Sequence, residues 1–139
     1  MRKLTFIVVL FCTTMSASRA GNLRYSVPAN PWPEHFGNHR AVVRIAHPAS
    51  AVHIRLPWRR HDPDPELRHL LVVEASAGDT LANIRRTQVT NEVCDIVVGP
   101  VNRRGLYFLY YLPYTVQSGW GFFGGSYLPP ESPPDSSWV

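Results

Sequence analysis

Residues 51–66, AVHIRLPWRRHDPDPE, restrict what this chain can fold into more than any other stretch. They begin as a strand. Val52, Ile54 and Leu56 alternate with His53 and Arg55, which gives one apolar and one polar face. Pro57 has no backbone donor and ends the ladder. Trp58, Arg59 and Arg60 follow, and then Asp62-Pro63 and Asp64-Pro65, where each proline drives the residue before it toward extended backbone. A buried strand is thus expected to hand over to a stiff, charged corner. Extended backbone there would send Arg59 and Arg60 to opposite sides. One is expected to pair with Asp62 or Asp64, and the other to face a neighbouring domain or a ligand.

The same short alternation recurs along the chain. Residues 41–47 carry Val43 and Ile45 on one face and Arg44 on the other, and a turn at 47–50 returns the chain as a hairpin partner over 51–56. Asp64, Pro65 and Glu66 have the make-up of a helical first turn, with a cap, a proline and an early acid. Further strands are expected at 70–74, 80–87, 89–98 and 106–112, with turns at 76–79 and 99–105. No long 3.6-residue period appears. The expected fold class is all-β, an antiparallel sandwich of about seven strands.

The two ends differ from this middle. Residues 1–20 read as a cleaved signal peptide: a basic start at Arg2 and Lys3, an apolar run, and the small-x-small site Ser18-Arg19-Ala20. The run is shorter than the roughly 20 residues of a membrane span, so a secreted or periplasmic protein is expected, with no membrane partner. Residues 21–40 are a proline-rich extended lead-in, 41–127 the sandwich, and 128–139 a Pro/Ser-rich stretch of linker composition. Beyond the leader there are eleven arginines, no lysine and ten acids. That balance, without a basic patch, argues against a nucleic-acid partner. Cys94 is the one cysteine after the leader, so no internal disulfide can form, and its place in VCDIVV suits a buried, inert thiol.

Few residues form a chemical motif. Asp62, Asp64 and Glu66 imitate the first acids of a calcium loop, but Leu67 stands where such a loop needs glycine for its sharp turn. His35 and His39 are four apart, yet Pro33 and Gly37 oppose the helix that would bring them together as metal ligands. No metal, cofactor or catalytic residue is assigned, and no pair of carboxylates can be named acid and base. Glu74, Glu92 and Asp95 suit a solvated face or an arginine partner. Aromatic residues are concentrated late, with ten of the fourteen beyond the leader at or after Tyr107. They can fill a core or offer stacking faces to sugars, which a planar arginine would complement. The candidates for sugar contact or a domain interface are Trp58, Arg59, Arg60, Asp62, Tyr111, Tyr114 and Trp120. LYFLYYL at 106–112 is apolar on both faces, so one face is expected to lie exposed unless a partner covers it.

The segments WRRHDPDPE, LLVVEASAGD, NEVCDIVV, RGLYFLYYLPY and YLPPES occur in this order between residues 37 and 139. Together they resemble the N-terminal β-sandwich domain of proteins related to family-123 glycoside hydrolases. The resemblance implies a non-catalytic accessory domain of a secreted enzyme whose following barrel holds the catalytic acids and removes terminal N-acetylgalactosamine with help from the substrate's acetamido group. It makes a glycosidase barrel the expected partner in cis, and carbohydrate a further one. The sequence stops where the sandwich stops, so a chain truncated before its barrel is expected. The alternative is a free-standing carbohydrate-binding module.

Overall fold

Period-two alternation becomes strand wherever two faces of a segment meet different surroundings, and the middle of this chain does so repeatedly. The computed structural model describes residues 24–37, 39–111, 113–119 and 122–138. Among them are eight strands: β1 (Arg40–Ile45), β2 (Val52–Pro57), β3 (Leu70–Glu74), β4 (Asn83–Val89), β5 (Val93–Gly99), β6 (Gly105–Tyr111), β7 (Tyr114–Gly119) and β8 (Phe122–Tyr127). They form two three-stranded sheets, ordered β1-β6-β3 and β2-β5-β4, and the hairpin β7-β8. Every pairing is antiparallel. The described helix is two 3-10 turns, Glu34–Phe36 and Pro65–Leu67. The all-β expectation holds. Residues 24–30 belong to a separate N-terminal unit and contain neither strand nor helix.

The core lies where the apolar faces of the two three-stranded sheets meet. Val72, Leu109 and Ala41 share one row of the first sheet. Leu56, Cys94 and Val89 share a row of the second, as do Val52, Val98 and Ile84. All join a single apolar cluster. Each fully buried aliphatic side chain in it contributes about 1.5–3 kcal/mol. Tyr107 is buried with them and donates its hydroxyl to the Arg103 carbonyl at 2.9 Å, which satisfies its one polar atom within the turn before β6. This is the pattern of a tyrosine corner, a recurrent device of β-sandwiches.

β4 shows how parity is corrected. Ile84 and Val89 are five residues apart, an odd interval that puts them on opposite faces of a regular strand. The register shifts between Arg86 and Gln88, which leaves Thr87 as an inserted bulge residue. Both apolar residues then reach the core.

The structure departs from the sequence expectations in four places. First, β1 and β2 are not a hairpin: β1 pairs with β6 in one sheet and β2 with β5 in the other. The connection between them has none of the Gly or Asn chemistry of a tight hairpin turn, and Ala49 pairs with Val101 instead. Second, Asp64 is not extended before its proline but left-handed, at φ 53° and ψ 55°. Third, the lead-in is no bare extension. Trp32 and Phe36 sit against Tyr110 at ring distances of 6.0 and 4.8 Å, and Arg40 lies over both Trp32 and Phe108. The second face of β6 is therefore covered at Tyr110, which is 3% exposed, while Val42 on the edge strand β1 stays 57% exposed. Fourth, the stretch of linker composition is bonded to the sandwich. Glu131 accepts from the Leu70 amide, the Asp135 amide donates to the Asn83 side chain, and the Trp138 indole donates to the Ser50 carbonyl.

Candidate functional site

The chain after β2 leaves the sheet without losing its partner. The Trp58 amide donates to the Glu92 carbonyl at 3.0 Å and the Arg60 amide to Asn91 at 2.8 Å. The Asn91 side chain returns two bonds, to the carbonyls of Arg60 and Asp62. The β4–β5 turn thus pins the corner, and strand alternation continues through it. Trp58 turns inward, Arg59 is exposed, and Arg60 turns inward again. Of the two readings open for Trp58, the core one holds: it is 6% exposed, and its indole donates to the Thr90 carbonyl. Its ring supports Tyr111 at 4.9 Å, and the Arg60 guanidinium lies over the same Tyr111 ring, also at 4.9 Å.

Arg60 then reaches Asp62. Its Nε donates to Asp62 Oδ2 at 2.7 Å, and the Tyr127 hydroxyl donates to Oδ1 at 2.6 Å. This bond ties the β7–β8 hairpin to the corner. Tyr127 meets Tyr114 edge-on across the hairpin, at 6.4 Å, and takes the Arg68 guanidinium on its face at 4.3 Å. His39 lies 5.9 Å from Tyr111. Next in the chain, Asp64 stays in the left-handed region and accepts from the Leu67 amide. For a residue other than glycine this conformation costs about 1–2 kcal/mol.

The electrostatics follow from this geometry. Burial pushes the Asp62 carboxyl up, but the bonds from Tyr127 and Arg60 outweigh it and hold the group below the usual carboxylate range. The same bond to Asp62 raises the Tyr127 phenol. Burial lowers His39, and the neighbouring Arg60 lowers it further against the pull of Asp62. Asp62 is therefore an anion whose two oxygens are both engaged. It has the character of a structural or recognition group more than of a proton donor. Among the described residues no group of three or more His, Cys, Asp or Glu side chains is placed to hold a metal.

Of the residues singled out by sequence, Trp58, Arg60, Asp62 and Tyr111 converge directly, and Tyr114 joins through Tyr127. Arg59 stands apart on the exposed side. Trp120 lies outside the described residues. Tyr127 was among the aromatic residues read as possible stacking faces, though not among the contact candidates, and Arg68 was missed as a member.

A second polar group was missed altogether. Arg86 shares the inward row of Ile96, where a free charge would be untenable. It pairs with Glu131 and also donates to the carbonyls of Glu66 and Arg68. Burial raises Glu131, but Arg86 and the Leu70 amide win and leave its carboxyl low. Elsewhere, Asp95 takes bonds from His53 and Arg55, both at 2.7 Å, which lower it. Glu74 closes the turn after β3 by accepting from Ser76 and Ala77, and is lowered for that reason. The buried Cys94 thiol is pushed up to about 12, chiefly by desolvation, so it is neither nucleophile nor ligand at neutral pH.

No curated protein and no solved structure shows significant similarity to the chain. Among protein families, residues 30–139 match the one described as glycoside hydrolase 123, N-terminal domain. That match takes in both three-stranded sheets, the pinned corner and the docked tail, which is most of the sequence. With its all-β architecture and a match of this extent, the chain belongs to the glycoside hydrolase 123 N-terminal domain family.

Proposed function

We propose that this domain is a non-catalytic accessory module of a secreted glycoside hydrolase, and that it seats a catalytic barrel acting on terminal N-acetylgalactosamine. The observation that carries the reading is the corner at Trp58–Asp62. Its other groups are engaged within the domain, Trp58 with the Thr90 carbonyl and both Arg60 and Tyr127 with Asp62, while Arg59 is presented outward from the same backbone. Arginine held in this way suits a carboxylate or an aromatic face on a neighbouring domain. The acids also favour a supporting role. Glycosidases commonly use two carboxyl groups flanking the scissile bond, whereas Asp62, Asp95, Glu74 and Glu131 are each engaged by donors within the domain. The leader-like residues 1–20 support export, and N-terminal sequencing of the exported protein is expected to begin at Gly21.

The test is to mix the purified domain with the catalytic barrel of a family-123 enzyme and measure association by sedimentation and hydrolysis of an aryl N-acetylgalactosaminide. Arg59→Glu is expected to weaken association by about tenfold, equivalent to about 1.4 kcal/mol, without changing the domain's own melting temperature. Unchanged association of Arg59→Glu, or hydrolysis by the domain alone, would count against the reading.

A further inference from the structure

The outer face of the β2-β5-β4 sheet carries a second constellation that uses none of the corner residues. Its register sets His53, Val97 and Arg85 in one row and Arg55, Asp95 and Gln88 in the next. Asp95 is only 6% exposed and is spoken for by His53 and Arg55. Arg85 in the adjoining row is exposed and has no ion pair among the described residues. The strands of this face thus carry one acid, already compensated by Arg55; the tail adds Asp135 at Asn83, its carboxylate engaged by the Ser137 amide and hydroxyl, and Arg85 is left as a cation without an ion pair among the described residues.

A wall stands beside that cation. The Trp138 indole is fixed by its bond to the Ser50 carbonyl at 2.9 Å, and its ring lies against Gly99, where an added Cβ would come within 3.1 Å of Cζ2. Between this ring and Arg85 runs a cleft of about 460 Å³, floored by Ala51 and Val97 and edged by Thr87. Thr87 is the residue inserted by the β4 bulge, a device that commonly re-aims a side chain beside a binding site.

We infer that this cleft binds an anionic saccharide, one sugar ring lying on Trp138 and its carboxylate or sulfate held by Arg85. The volume falls in the range of small-molecule sites. A fixed indole offers an apolar plane to the C–H face of a sugar. The guanidinium fork matches a planar carboxylate or two oxygens of a sulfate, and the threonine hydroxyl can serve a ring hydroxyl. Charge decides among occupants: with Asp95 neutralised inside the sheet, a neutral or cationic ligand would leave Arg85 without a partner.

The experiment is calorimetric titration of the purified chain with three probes: tetragalacturonate, a heparin-derived tetrasaccharide and neutral chitotetraose. The two acidic probes separate a carboxylate from a sulfate as the recognised group. Binding of at least one of them is expected, with chitotetraose bound at least about tenfold more weakly. Arg85→Gln is expected to reduce the anionic affinity by about tenfold and Trp138→Ala to abolish it. Arg44→Gln, an exposed cation on the other three-stranded sheet, is expected to leave it unchanged. Because Trp138→Ala removes a tail contact, Arg85→Gln at an exposed strand position is the decisive variant. Absence of binding to both acidic probes, equal binding of the neutral one, or equal losses in Arg85→Gln and Arg44→Gln would overturn the inference.

Discussion

At Gly99 the fold leaves no room for a methyl group. An added Cβ would lie 2.3 Å from the Ser50 carbonyl oxygen, which is backbone and is also the acceptor for Trp138. Gly99→Ala is expected to lower stability by about 1–3 kcal/mol, read as a lower urea midpoint with an unchanged slope. Arg86 is the other residue where a single change matters. It is inward-facing and paired with Glu131, so Arg86→Met leaves a carboxylate uncompensated and is expected to cost about 3 kcal/mol. Neither residue was legible in the sequence. Gly99 only read as the start of a turn, and the partner of Arg86 lies forty-five positions away. Local patterning carries no information about a contact made only when segments distant in sequence close on one another. Asp62, by contrast, sits two residues from Arg60, and pairing at that separation follows from chain geometry alone.

Among the elements, β4 and the lead-in each carry a prediction. Deleting Thr87 would bring Ile84 and Val89 to an even interval, so unbroken alternation would keep both on the core face. The expected result, measured by thermal unfolding, is that the deletion melts near the parent, whereas Val89→Ala, which does empty that core position, loses about 2 kcal/mol. Removing the chain through Gly37 would uncover Tyr110, so dye binding to exposed apolar surface is expected to rise over that of the intact protein. The strands over 41–47, 51–56, 70–74 and 106–112 were legible because apolar and polar positions alternate there or run continuously through them. The pairing of β1 and β2 was not, because an apolar face says that a strand is half-buried without saying on which side of the core. The β7–β8 hairpin escaped for another reason: its glycines and its aromatics point to turn and core at once.

For the molecule as a whole, acid is the weak point. Asp62, Glu74, Asp95, Glu131 and Asp135 are all held below their ordinary values by donors in the folded state. The unfolded chain therefore binds more protons as pH falls, and stability is lost as pH passes below the ordinary values, 4.5 for Glu and 3.8 for Asp, toward the folded ones. His39, depressed from 6.5, adds a loss in the same direction that begins at higher pH. The urea midpoint is expected to fall from about pH 6 downward and steeply below about pH 4.5. Glu131→Gln should start lower at neutral pH and lose less on acidification. A midpoint indifferent to pH across that window would contradict the assignment of these bonds.

The buried thiol of Cys94 makes the molecule its own stopwatch. With a value of about 12, roughly one molecule in a hundred thousand carries the thiolate at neutral pH while folded. Once the second sheet parts, the same sulfur returns to an ordinary, reactive state. The labelling rate of Cys94 by a thiolate-selective reagent therefore counts openings of the β2-β5-β4 sheet at a native residue.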